Sequence, residues 1–197
     1  MRKPSNTKLT TGNMIPMQIW QDTYGHDVTI PCSTGLTHLQ FRRYSGCAVC
    51  NLHLQSFIGR QQELRNAGIY DVVIFNSTRE RILADIAKSP FPIIADTDKH
   101  LYKKFEVETS PLAVFNPSVW LPAIKGALKF GVQLPRDQET MNGLPADFLI
   151  DSDGKIIAAH YGKHAYDQWS IEELLKLVEL HKINSAFIKH NKEELAA

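Results

Sequence analysis

The residues of this chain best able to do chemistry lie together, in Arg42-Arg43-Tyr44-Ser45-Gly46-Cys47-Ala48-Val49-Cys50. Two cysteines at this spacing close a small ring when their sulfurs bond, so the pair is a candidate redox switch. A thiol is a strong nucleophile only as its thiolate, and free amide N–H groups at a helix start favour that anion, drawing such cysteines to pKa values of roughly 3.5–7.5. Cys47, nearer the helix start and following Gly46, is the expected nucleophile, and Cys50 the thiol that resolves the mixed disulfide or sulfenic acid. Arg43 adds positive potential beside the sulfur, or else it faces solvent. Two blander readings stay open: half of a zinc site, and two small core residues that fall close together. A closed zinc site takes four ligands. Beyond the pair there are only Cys32 and histidines such as His38 and His53, in no recognisable ligand spacing, so no metal is expected.

The elements that must position this pair follow from periodicity. Leu36 to Tyr44 reads as a strand feeding straight into a helix that runs from about Ser45 or Gly46 to Ala67, with Ser45 as N-cap and Gly68 closing it. Upstream, Met17-Gln18-Ile19-Trp20 and Val28-Thr29-Ile30 form a hairpin about a glycine-containing turn. Tyr70 to Asn76 is a buried strand, and Phe91 to Asp96 is a short one pushed to an edge by its proline. Between them a helix capped by Ser77 or Thr78 carries Ile82, Leu83, Ile86 and Ala87 inward. Thr97 or Asp98 caps a further helix through Phe105. Ala146 to Ile150 and Ile156 to His160 form a second hairpin around Asp151-Ser152-Asp153-Gly154. Ser170 and Glu173 make a capping box for the last helix. Between Ser110 and Gly143 prolines punctuate one or two helices, whose stripe of Trp120, Ile124, Leu128 and Phe130 is expected to cover core, with a wall for the cysteine site as the other reading.

The length of 197 residues suits one domain. With 22 Lys plus Arg against 21 Asp plus Glu, the net charge of +1 gives no reason to expect a nucleic-acid or anionic-membrane ligand. No apolar run is long enough to span a bilayer. Three cysteines, one pair among them, fit a reducing compartment, and a soluble cytoplasmic protein is expected. Phosphate-binding glycine loops, a Gly-x-Ser-x-Gly elbow and a His-Glu-x-x-His helix are absent, so no cofactor is expected.

Three stretches together resemble the thioredoxin fold, and more narrowly the peroxiredoxin-like branch of the AhpC/TSA superfamily: Phe41 to Cys50, Phe91 to Asp96, and Gly143-Leu144-Pro145-Ala146-Asp147-Phe148-Leu149-Ile150-Asp151. The resemblance covers roughly residues 17 to 180. It implies an α/β three-layer sandwich with a central mixed sheet, an N-terminal hairpin and a helical insertion at about 116–142. A loose arm would occupy 1–16, the domain 17–183 and a frayed tail 184–197. It further implies a cis-proline at Pro145 facing the cysteines, with the Leu144 backbone pairing with an extended substrate. The Pro-x-x-x-Thr-x-x-Cys signature of classical peroxiredoxins is missing: if Cys50 matches the peroxide-reducing thiol, Arg43 stands for the proline and Cys47 for the threonine, and if Cys47 matches it, Gln40 and Tyr44 stand there. The expectation is therefore thiol–disulfide oxidoreductase chemistry, with peroxide reduction as the alternative and a non-catalytic binding module as a third reading. A protein disulfide or peroxide would be the substrate and a thiol such as thioredoxin or glutathione the reductant, the protein acting as monomer or dimer.

Overall fold

In the computed structural model, residues 8–86 and 88–194 are described. Ala87, expected on the inward face of a helix, residues 1–7 of the arm and 195–197 of the tail lie outside them. The chain runs β1 (Gln18–Gln21), β2 (Asp27–Ile30), β3 (Leu36–Arg42), α1 (Ala48–Gly59), α2 (Gln61–Asn66), β4 (Ile69–Phe75), α3 (Arg79–Asp85), β5 (Ile93–Ala95) and α4 (His100–Lys104). A 3₁₀ turn at Pro117–Val119 leads into α5 (Trp120–Phe130), followed by β6 (Ala146–Ile150), β7 (Ile156–Tyr161) and α6 (Ile171–Glu194).

Five strands form one mixed sheet in the order β5-β4-β3-β6-β7. The β3, β4 and β5 strands are parallel, while β6 and β7 run antiparallel to their neighbours. Strand alternation splits the core in two. Val73, Phe75 and Leu149 meet Leu54, Phe57, Leu174 and Val178 of α1 and α6. Leu39, Phe41, Ile74 and Phe148 meet Leu101 and Phe105, and the β1–β2 hairpin adds Val28 and Ile30. Each of these side chains is worth about 1.5–3 kcal/mol of burial, so both helical layers are held to the sheet by packing.

β3 is central and buried along its whole length, although His38, Gln40 and Arg42 alternate with its apolar residues. Partners on adjacent strands make this tolerable. Asp71 bonds His38 Nδ1 at 2.7 Å and accepts from Gln40 at 2.8 Å. Asp147 accepts from Arg42 Nη2 at 2.7 Å and lies 3.2 Å from His38 Nε2. Burial disfavours a charged His38, yet the two carboxylates outweigh it and hold its pKa above the ordinary histidine value. Asp147 is likewise opposed by burial and still falls well below the carboxylate range, because Arg42 and His38 face it.

Several local expectations change. The cysteine helix is two segments, α1 and α2, broken at Arg60 (φ −119°, ψ 22°), whose guanidinium binds Glu63 and Glu172. α4 is capped from Asp96, whose carboxylate accepts from the N–H groups of His100, Leu101 and Tyr102. The described part of the N-terminal arm is tied down. Gly12 N–H donates to Ile156 O at 2.8 Å, Ile15 N–H to Gly154 O at 2.7 Å, and Ile15 is buried. α6 continues through the expected tail to Glu194. Among the described residues no helix is long and apolar enough to cross a membrane.

Candidate active site

β3 ends at Arg42, and the following residues are fixed one by one. Asn76 N–H donates to Arg43 O at 2.9 Å, and Ser45 N–H donates to Ser77 Oγ at 2.9 Å. Ser45 Oγ donates to Asp85 at 2.6 Å, and Asn51 Nδ2 returns to Ser45 O at 2.7 Å. Ser45 is thus a strut of the turn. The residue that caps α1 is Cys47, whose Sγ accepts from Cys50 N–H at 3.2 Å.

Arg43 turns inward. Its Nη2 donates to Cys47 Sγ at 2.9 Å and its Nη1 to the Met141 carbonyl at 2.9 Å. The guanidinium hydrogen-bonds Cys47 Sγ, feels the charge of both sulfurs and is held protonated: burial opposes its charge, but Cys47 and Cys50 outweigh it. The sulfurs share this one cation and titrate apart. Burial raises the cost of a charged Cys50, yet the Cys47 thiol and Arg43 together bring its pKa down to about 6. Cys47 is pushed well above the ordinary thiol range by burial and by its neighbour's negative charge, with Arg43 only partly compensating. Burial and the mutual repulsion of the two sulfurs thus favour one negative charge on the pair over two, with Cys50 the lowered group and Cys47 the raised one. The helix start gives Cys47 a single N–H donor, too little to offset complete burial.

Both cysteines are buried, Cys47 being 1% exposed and Cys50 0%, and both are reduced. The insertion packs against the residues beside them. Gly126 of α5 sits on the Ala48 carbonyl, where an added Cβ would lie 2.5 Å from the oxygen. Tyr44 OH donates to Gln133 O at 3.1 Å. Beside this contact a cavity of about 360 Å³ opens, walled by Val49, Trp120, Ile124 and Met141 with Arg43 and Tyr44 at its polar end.

Leu144 and Pro145 do not build the expected docking edge. The one cis peptide among the described residues is Ile30–Pro31, so Leu144–Pro145 is trans. Leu144 N–H is already donated to Glu108 O at 3.1 Å, and Pro145 O accepts from Gly162 N–H at 2.9 Å. The Leu144 N–H that would meet an extended substrate is therefore already taken by Glu108. The histidines named as further zinc ligands are engaged elsewhere: His38 between Asp71 and Asp147, His53 through Nε2 with Trp169 O at 2.8 Å. Among the described residues no three His, Cys, Asp or Glu side chains form a metal cluster. Cys32 lies in the loop after β2, where its N–H donates to Thr37 Oγ1 at 2.7 Å. The Met141 anchor for Arg43 was not anticipated; a backbone carbonyl leaves no mark in a sequence.

A family model described as the AhpC/TSA family matches residues 11–159. The chain belongs to the AhpC/TSA family. Membership brings thiol-dependent redox function with it. Solved structures share the fold at low identity. Peroxidoxin BcpB from Mycobacterium tuberculosis is 16% identical with a TM-score of 0.57, over 87% of this chain and 97% of that one. A reduced 2-Cys peroxiredoxin from Plasmodium vivax is 12% identical with a TM-score of 0.65, over 90% and 84%. A structure assigned as the thiol:disulfide interchange protein DsbE, from Chlorobium tepidum, is 18% identical with a TM-score of 0.57, over 87% and 99%. No curated protein sequence matches the chain significantly.

Proposed function

We propose that the protein is a dithiol oxidoreductase in which Cys50 carries the resting thiolate, Cys47 resolves and Arg43 holds the negative charge. The observation that carries this reading is the single buried guanidinium shared by both sulfurs, 2.9 Å from Cys47 Sγ. With a disulfide substrate, Cys50 Sγ attacks one sulfur, a mixed disulfide forms and the other sulfur leaves as thiolate. Cys47, once deprotonated, then attacks Cys50 Sγ, closes the Cys47–Cys50 bond and releases the second thiolate. Two electrons pass from protein to substrate, and an external dithiol or two glutathione-type thiols return them. Work in a reducing compartment such as the cytoplasm accords with this cycle.

A second reading is favoured by the burial of the sulfurs. With Cys50 0% exposed, a peroxide needs a far smaller opening to reach it than a protein disulfide does. Cys50 Sγ would take the outer oxygen, the O–O bond would break and an alcohol or water would leave. The Cys50 sulfenic acid would then condense with Cys47, releasing water.

Stopped-flow oxidation of the reduced protein by hydrogen peroxide, set beside oxidation by a protein disulfide, separates the two. In either case Cys47→Ser should retain the first oxidation step and stop at a mixed disulfide or sulfenic acid, whereas Cys50→Ser should lose fast reaction below neutral pH. Peptide mapping of oxidised wild-type protein should find Cys47 joined to Cys50 and Cys32 free. A dominant Cys32 linkage, or undiminished reactivity in Cys50→Ser, overturns the assignment.

A further inference from the structure

Helix α5 is amphipathic in the opposite sense from a core-covering helix. Its small residues Ala123, Gly126 and Ala127 face inward, Gly126 lying against the Ala48 backbone. Its bulky apolar residues point out: Trp120, Leu121, Ile124 and Leu128 are 57–84% exposed. Phe115 and Val132 extend the patch to 70% and 77% exposure on either side. Turning the helix over would not bury them, because the space above Ala48 admits no side chain larger than glycine's.

The charge on this face is one-sided. Between residues 110 and 135 the only charged side chains are Lys125 and Lys129, both exposed, and no acidic residue occurs. The overall net charge of +1 averages this asymmetry away. From Val119 to Val132 the two lysines are also the only side chains, apart from the Trp120 indole, that can hydrogen-bond. We infer that this face docks the protein peripherally on an anionic lipid bilayer, with the leucines, Ile124 and Trp120 in the interface and Lys125 and Lys129 at the phosphate headgroups.

The alternatives fit less well. A second copy meeting this face symmetrically would bring its lysines together with no carboxylate between them. A protein partner would be expected to meet directional polar groups around the rim, which the face lacks. A bilayer asks only for apolar side chains, an indole at the boundary and cations that reach the headgroups. Trp120 and Ile124 also wall the cavity that ends at Arg43, so docking would set the mouth of the redox site against the lipid surface.

The test is co-sedimentation of the full-length reduced protein with vesicles of phosphatidylcholine alone and of phosphatidylcholine containing phosphatidylglycerol. Wild type should partition to the anionic vesicles, less so at high salt. Lys125→Glu/Lys129→Glu should lose about 30-fold in partitioning, at roughly fivefold per cation. Leu121→Ser/Leu128→Ser, whose residues are exposed and outside the cavity, should lose at least about tenfold while keeping its circular dichroism and its oxidation rate with a soluble oxidant. Equal partitioning to both vesicles, or no loss in either variant, overturns the inference. So does a concentration-dependent dimer that Leu121→Ser/Leu128→Ser abolishes and vesicles leave intact, which would give the face to a second copy. Partitioning is also read on Cys47→Ser/Cys50→Ser, so the docking and the redox assignment stand or fall separately.

Discussion

Replacing Arg43 by methionine tests the electrostatics of the site most directly, because the side chain keeps much of its apolar stem and loses only the cation. Three things go at once: the 2.9 Å bond to Cys47 Sγ, the Coulombic hold on Cys50, and the 2.9 Å tie to Met141 O. A hydrogen bond to a charged group is worth about 1.5–3 kcal/mol, and a pKa unit corresponds to about 1.4 kcal/mol, so the first ionisation should rise by about 1–2 units from its value near 6. The sign follows from the lowered pKa of Cys50. The thiolate is present above about 6 and is lost as pH falls through that value, so raising the pKa removes it from the neutral range. The assay is the rate of alkylation by iodoacetamide between mildly acidic and alkaline pH, with thiolate absorbance as a second readout. Wild type should reach its plateau near neutrality, whereas Arg43→Met should still be climbing there and reach the same plateau at higher pH. Arg43→Lys should fall between them. If Arg43→Met titrates like wild type while remaining folded, the guanidinium is not what stabilises the anion and the argument fails.

Gly126→Val should force α5 off the Ala48 carbonyl, at a cost of about 1–3 kcal/mol in thermal stability, and should speed alkylation of the sulfurs by uncovering them; unchanged alkylation would show that access does not pass the insertion. Asp147→Ala should cost about 3–5 kcal/mol in denaturant unfolding, since it strands the Arg42 cation in the core and leaves His38 with Asp71 alone. In the wild type, the depressed Asp147 contributes stability above the ordinary carboxylate range that is lost as pH falls through its own value. The raised His38 contributes below about 6.5 and loses this as pH rises through its folded value. Stability measured against pH should therefore fall on both sides of a mildly acidic to neutral optimum, and Asp147→Ala should flatten the curve. Pro145→Ala should leave the oxidation rates near wild type, because the bond is trans and Leu144 N–H is already paired with Glu108; a marked slowing with the fold intact would restore the docking role.

The strand-to-helix turn with its cysteines, both hairpins and the Ser170–Glu173 box were legible because each depends on residues near in sequence: alternation, turn glycines and cap spacing. The Ser170 pair is seen directly, with Glu173 N–H on Ser170 Oγ at 3.2 Å and Ser170 N–H on Glu173 at 2.8 Å. What stayed hidden depends on partners far along the chain. Asp147 is 105 residues from Arg42, and nothing local in β3 says that its polar face is buried. The inward turn of Arg43 rests on a carbonyl 98 residues away. Of the two readings of the α5 stripe, core cover fails, because periodicity identifies which residues share a face but not which way that face looks, while Trp120 and Ile124 do wall the cavity at the cysteine turn. Here glycine and alanine, not leucine, fit the close approach to α1. The order proposed for the titration of Cys47 and Cys50 likewise turns on complete burial and on one cation between two sulfurs, neither of which is local in sequence.

In the proposed cycle Cys47 Sγ is a reagent and also a structural member, for the atom that would change its bonding during turnover is the one that closes the first turn of α1. An N-cap is worth on the order of 1 kcal/mol to its helix. Once that sulfur is committed to a covalent bond, its acceptance of the Cys50 N–H has to be given up or remade, and the start of α1 loosens at the residue beside Ala48. Ala48 is also the seat of Gly126, so the state of the sulfurs is written into how firmly the insertion is moored. Each oxidation would slacken that mooring and each reduction would draw it tight again, in step with the electrons passing beneath.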